Sequence, residues 1–318
     1  MSHSYHAHDH GHIHPSPNLP AGHARLMRIA SYASVTVAAI LLTTKLVAWW
    51  MTDSLAMLSS FTDSVFDVLM SVVNMLAVRY ALKPADDDHR FGHTSIEDLA
   101  GLAQCAFIFS AMAMIILQAL ERLSGNNETL ENPALGIGVS LLGIGLTSVL
   151  VVYQTYVTRR TNSLVIAADR MHYVGDILFN LGVIIAFVLS SWGGYGGADA
   201  AIAIIIALLV LRSTWPLGVR AFNNLMDREM PDADKKIITN LIDTMPDIKG
   251  YHNLRTRYSG AKAFVQLHID VDSTLNFKQV HAITDRLERS IINAFPAADV
   301  IVHPDPVSIN EPTTSPNT

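Results

Sequence analysis

The sequence predicts an α-helical membrane protein with six transmembrane helices and a small C-terminal α+β domain. Three observations lead there: too few charges, six long apolar stretches, and an abrupt change of pattern after Arg228. Of the 318 residues, 50% are apolar and only 16% charged, with a mean hydropathy of +0.30. A water-soluble domain carries about a quarter charged residues. The net charge of −6 argues against a nucleic-acid partner, and the single cysteine, Cys105, can build neither a disulfide framework nor a thiolate metal site.

The apolar stretches fall at 29–51, 55–80, 96–123, 133–157, 162–190 and 198–222. Each approaches the ~20 residues that cross a bilayer as a helix. The first starts late, is long, and lacks a small-residue cleavage site, so it reads as a retained helix rather than a signal peptide. After Arg228 come short alternating segments with regular charges, the pattern of a water-exposed domain. The expected division is a His-rich tail over 1–24, a membrane domain over 25–227, a metal-binding α+β domain over 228–307 and a loose tail over 308–318.

Positive charge sets the expected orientation. Arg25, Arg28, Arg79, Lys83, Arg90, Arg159, Arg160 and Arg228 flank the stretches on one side, while Thr52–Ser54, Ser124–Asn132 and Ser191–Gly197 carry no Lys or Arg. By the positive-inside rule both termini lie in the cytoplasm.

Ionisable groups inside apolar helices are costly and mark function. The second stretch holds Asp63 and Asp67 in SSFTDSVFDVLMS; the fifth holds His172 and Asp176 in AADRMHYVGDILFN. Spacing of four puts each pair on one helical face, one turn apart. An Asp pair alone can be a proton relay or a water-cavity lining, and a lone membrane His can simply hydrogen-bond a backbone. Two pairs at matched spacing read as a four-ligand oxygen and nitrogen site for zinc or another divalent first-row metal. Asp169 shares the face of His172 and Asp176 and is expected to line the access path. Arg170 is expected to pair with Asp169's neighbours or to snorkel.

These residues, with the loop PADDDHRFGH and the segments LMDREMP, NLRTR and DVIVHPDP, resemble the bacterial zinc transporters of the cation diffusion facilitator family over residues 25–307. The resemblance implies a transport site at Asp63, Asp67, His172 and Asp176, a combination associated there with zinc and cadmium. It also implies a loop site at Asp86, His89 and His93, in which Asp87 and Asp88 are alternatives to Asp86. A binuclear site falls at His252, His268, His281, His303 and Asp305, in a ferredoxin-like, metallochaperone-like domain. Further implications are a homodimer in the bacterial inner membrane, exchange of metal for protons by alternating access, and structural as well as transported zinc. Cadmium, iron, manganese and cobalt are alternative substrates.

Read alone, His252 opens a strand, His268 ends the strand AKAFVQLHID, His281 lies on the helix FKQVHAITDRLERSIINAF, and His303 and Asp305 close the strand DVIVH. One departure stands out. The bacterial relatives place Gly-Lys after the loop histidine, and the Lys pairs with an Asp beyond the sixth helix; here the run is His93-Thr94-Ser95, with the Asp retained as Asp227. Arg90 and Arg228 are the candidate replacements.

The N-terminus carries His3, His6, His8, His10, His12 and His14 without apolar periodicity and reads as a disordered tail that captures metal or simply solubilises. Two other classes compete. A membrane-bound metal sensor has no need of intramembrane ligands, and an intramembrane metalloenzyme lacks an H-E-x-x-H helix here.

Overall fold

The computed structural model describes residues 19–53, 55–123, 133–193 and 198–307. The His-rich tail, expected to be disordered, lies outside them except for residues 19–24, as do the C-terminal tail and the loops at 124–132 and 194–197.

Six long helices come first: α1 (Ala21–Thr52), α2 (Leu55–Ala81), α3 (Ser95–Leu123), α4 (Pro133–Thr161), α5 (Leu164–Gly193) and α6 (Ala198–Leu225). α1 begins eight residues before the expected span, immediately after Pro20. A proline is tolerated at a helix start, where its missing N–H has no partner to lose. The extra turns are stabilised by packing, because Met27 and Ala30 are buried against Ala77, Val78, Val157, Val165 and Ile166. α1 packs on α2 and α4, α3 on α6, and α5 on α4 and α6.

The helical domain has apolar side chains outside and polar ones inside. Val149 and Val152 are exposed at 73% and 71%, while Ser34, Ser71, Asn74, Gln104, Gln154 and Asp169 are buried. Such a surface is stable only in hydrocarbon. Five helices contain a stretch apolar enough to cross a membrane. α5, the remaining long helix, carries Asp169, Arg170 and Asp176 in its first half.

Asp227, in a left-handed conformation (φ 54°), turns the chain out of α6. The C-terminal domain then runs α7 (Asp232–Asp243), β1 (Ile248–Ser259), β2 (Lys262–Asp272), α8 (Phe277–Ala294) and β3 (Asp299–Val307). The strands form one sheet in the order β1-β2-β3, antiparallel between β1 and β2 and parallel between β2 and β3. β2 therefore sits in the middle. Its Val265, Leu267, Ile269 and Val271 alternate onto one face and pack against Ile238 and Ile242 of α7 and Ile283, Leu287 and Ile291 of α8. α8 starts with a capping box between Asn276 and Gln279. The helices cover one face of the sheet and leave the other free for polar side chains.

Candidate metal centres

Within the membrane domain, α2 and α5 bring Asp67, His172 and Asp176 together, with one ligand atom from each lying within 4.8 Å of the others. His172 Nε2 lies 3.1 Å from Asp67 Oδ1 and 3.7 Å from Asp176 Oδ2. The imidazole is wedged against Phe107 of α3 and Tyr173, with ring centroids 6.2 and 5.3 Å away. Tyr173 is anchored in turn by its hydroxyl, 2.9 Å from Ser71 Oγ and 3.2 Å from Ser34 Oγ. Asp63 sits one turn from Asp67 on the same face of α2 but outside this three-residue cluster, with its side chain exposed.

Asp169 does not line an access path. It is 2% exposed and accepts from Asn74 Nδ2 at 3.0 Å and Gln154 Nε2 at 2.6 Å. Its position in the bundle interior follows from the helices that enclose the first turns of α5. Arg170 makes no ion pair among the described residues; its guanidinium donates to Thr155 Oγ1 at 3.4 Å.

Lys45 of α1 is a further intramembrane charge that the paired-ligand pattern does not include, although a lysine inside an apolar run is the same signal as Asp63. Trp49 stacks on Phe61 at 6.0 Å and Ser34 Oγ meets Ser71 Oγ at 3.2 Å, so α1 and α2 run antiparallel with Lys45 level with Asp63. Its charge acts on both Asp63 and Asp176.

The loop between α2 and α3 gathers Asp86, His89 and His93. Asp86 bridges the two imidazoles, with Oδ1 3.4 Å from His89 Nδ1 and Oδ2 3.3 Å from His93 Nε2. Of the neighbouring carboxylates, Asp87 pairs with Arg90 at 2.9 Å. A hydrogen bond from Lys83 at 2.5 Å holds the Asp86 carboxyl well below the usual carboxylate range, with the backbone N–H of His89 adding to the effect. Asp86 thus stays ionised and ligand-ready.

In the C-terminal domain the register lines up three histidines. His252 of β1 pairs with His268 of β2, which pairs with His303 of β3. Two residues on, Gly250, Asp270 and Asp305 form the next rung on the same face. His252, His268 and Asp305 make a potential ligand trio, with His268 Nδ1 2.8 Å and His252 Nε2 3.3 Å from Asp305 Oδ2. His303 Nε2 lies 3.4 Å from the other oxygen, Oδ1. The hydrogen bond with His268 lowers the pKa of Asp305. The nitrogen and oxygen donor set fits a resident zinc ion held by His252, His268 and Asp305. Asp270, 3.3 Å from His252 Nδ1, belongs to the same rim and was not anticipated. Its signal was the i,i+2 spacing from His268. His281 is not brought to this cluster. It lies exposed on α8, which packs against the opposite face of the sheet, and stacks on Phe277 at 6.3 Å.

Within the chain, among the described residues, Asp227 is met by neither Arg90 nor Arg228. Asp227 pairs with Arg257 of β1 at 2.9 Å, and Ser95 Oγ meets Ser259 Oγ at 2.8 Å.

A helical bundle with an apolar exterior and an intramembrane carboxylate–imidazole cluster, followed by a small domain with its own histidine-lined rim, defines a multi-pass membrane transporter of metal cations. Residues 15–226 match the family model for the cation efflux transmembrane domain, and residues 230–307 match that for the cation efflux protein cytoplasmic domain. The chain belongs to the cation diffusion facilitator family of divalent-metal efflux pumps. It is 40% identical over 287 residues to the cation-efflux pump FieF of Serratia proteamaculans (strain 568), covering 90% of this chain and 95% of that one. The FieF pump of Yersinia enterocolitica is 39% identical over the same length and shares. Among solved structures, the zinc form of a MamM CTD variant is 22% identical and covers 27% of this chain and 93% of its own, with a TM-score of 0.24.

Proposed function

We propose that the protein exports zinc from the cytoplasm in exchange for protons, by alternating access in a homodimer of the bacterial inner membrane with both termini cytoplasmic. Asp63, Asp67, His172 and Asp176 are the cargo ligands. The observation that carries this reading is the approach of His172 to Asp67 and Asp176 inside the helical domain. Two carboxylates and one imidazole, with a third carboxylate one turn away, suit zinc in a tetrahedral shell. The ligands bind metal only when deprotonated, so zinc entry and proton release are linked. The imidazole of His172 is suited to that exchange, because it holds either a proton or the metal.

Zinc at Asp86, His89 and His93, and at the rim formed by His252, His268, His303 and Asp305, has a structural role in this reading. Zinc that binds only the folded, paired form stabilises it by mass action. The test is zinc flux into proteoliposomes under an imposed pH gradient, with wild type beside Asp67→Ala. Proton-driven flux that disappears in the variant supports the reading. Equal flux in both, or flux indifferent to the gradient, overturns the site or the antiport respectively.

A further inference from the structure

Among the described residues, Asp86, His89 and His93 are the whole of the ligand cluster in the α2–α3 loop. A resident zinc takes four ligands in a closed tetrahedral shell. The side chain of His93 is fully buried, but those of His89 and Asp86 are 54% and 31% exposed, so one side of the cluster faces water. Asp87 is turned outward and paired with Arg90, and His23 in the first turn of α1 is not part of the cluster. The loop thus supplies three ligands and leaves a fourth position open.

The described chain begins beside that opening. Leu19, its first residue, lines a cavity of about 50 Å³ together with Gly92, His93 and Thr94. Room for only about two waters means that the walls of this cavity are close together. Leu19 also packs, with Leu82 and Ile96 from either side of the loop, against the buried cluster around Met27 and Val78. Residues 1–18 precede it and carry His3, His6, His8, His10, His12 and His14. From Leu19 back to His14 the chain spans at most about 17 Å when fully extended. That reach covers the step from the cavity wall to the ligand cluster, because His93 belongs to both.

A third imidazole beside Asp86, His89 and His93 completes a nitrogen-rich tetrahedral set of the kind zinc favours. The tether makes binding of that imidazole intramolecular, at an effective concentration of about millimolar. We propose that a tail histidine, His14 foremost, is the fourth ligand of the zinc held by Asp86, His89 and His93, so that the His-rich tail and the α2–α3 loop form one shared site. This rests on the reading of the loop as a zinc site and gives the tail a defined place to bind. The shared ion ties the chain ahead of α1 to the loop ahead of α3.

The test uses full-length protein carrying Asp67→Ala, His172→Ala and His268→Ala, which disable the membrane and rim clusters. It is compared with the same protein in which all the tail histidines, His3 to His14, are alanine. Calorimetry follows zinc binding, and zinc X-ray absorption distinguishes three imidazoles in the shell from two. The alanine tail should weaken zinc at the loop by roughly 100-fold and remove one imidazole, with no change in the number of ions bound. His14→Ala alone should give a smaller loss, because His12 stands two residues further back. Equal affinity with two imidazoles in both proteins overturns the proposal and leaves the loop zinc site standing. A second ion that disappears with the tail histidines while the loop ion is unaffected also overturns it, since the tail is then a separate site. No zinc bound by either protein overturns the loop reading and the proposal with it. Should the triple variant fold poorly, the alanine tail in otherwise wild-type protein serves instead. The mean number of imidazoles per bound zinc should fall there, and an unchanged number counts against the shared site.

Discussion

The backbone N–H of Gly260 donates to Asp98 Oδ2 at 2.6 Å, tying the tip of the β1–β2 hairpin to the first turn of α3. Asn224 of α6 donates to the other oxygen at 2.8 Å, so one carboxylate joins the cytoplasmic domain to two membrane helices. Ser259 beside it bonds both Thr94, at 2.9 Å, and Ser95. The seam is built from short neutral hydroxyls around two buried carboxylates, Asp98 and Glu97.

That seam should be intolerant of a side chain at position 260. Gly260 has φ +55°, and a Cβ there would meet Thr94 O at 2.7 Å and Glu97 Oε2 at 3.0 Å. Gly260→Ala should cost about 1–3 kcal/mol, from left-handed strain plus the clash. The check is thermal unfolding of the full-length protein together with protease cleavage near residue 228, where loosening of the joint should accelerate cutting. Asp98→Ala should produce the same loosening, and unaltered cleavage in both variants would show that the joint does not hold the domains.

Lys45 should weaken cargo binding and speed its release. A fixed cation acting on Asp63 and Asp176 opposes a divalent ion there and neutralises the carboxylates once it leaves. Lys45→Met should tighten zinc binding by roughly tenfold, equivalent to about 1.4 kcal/mol, and lower the maximal flux. Lys45→Arg should stay close to wild type. Flux titrations in proteoliposomes separate the two effects, and weaker binding in the methionine variant would contradict this role.

The cytoplasmic rim should respond to pH in two stages. The Asp305 carboxyl is held below its ordinary value by His268, so its contribution to the folded state is present above about pH 4 and fades as pH falls through its lowered pKa. Zinc, by contrast, competes with protons for the histidines, and its stabilisation should fade first. Melting curves with and without zinc, taken between about pH 3 and 8, should converge near pH 5–6 before the apo protein itself loses stability. Asp305→Asn should diminish the zinc-dependent increment.

The helical layer behind the rim should be a separate stability determinant. Leu287 is fully buried between Ile283 and Ile291 on α8 and packs under β2. Leu287→Ala should destabilise the cytoplasmic domain by about 2–5 kcal/mol, through lost burial and the cavity left behind. Full-length protein should then lose its cytoplasmic-domain unfolding transition at lower temperature while the helical domain unfolds as before.

Period and composition carried the fold a long way. Apolar runs of bilayer length cannot be anything but buried helices, and paired charges four apart must share a face, so the six helices and the Asp67, His172 and Asp176 cluster were legible in the sequence. Asp86 among three consecutive aspartates was not, because only the bend of the loop decides which carboxylate meets His93. The alignment of His252, His268 and His303 required strand register, which depends on pairing between segments far apart in sequence. His281 shows the reverse, since a sound helix assignment cannot tell which face of the sheet that helix will cover. Asp169 and Lys45 mark the same boundary from within the membrane. The sequence by itself determined that charges enter the bilayer, through the local periodicity of the backbone. Only the tertiary structure decided which neighbours those charges meet, because helix rotation and packing are set by contacts among all the helices together.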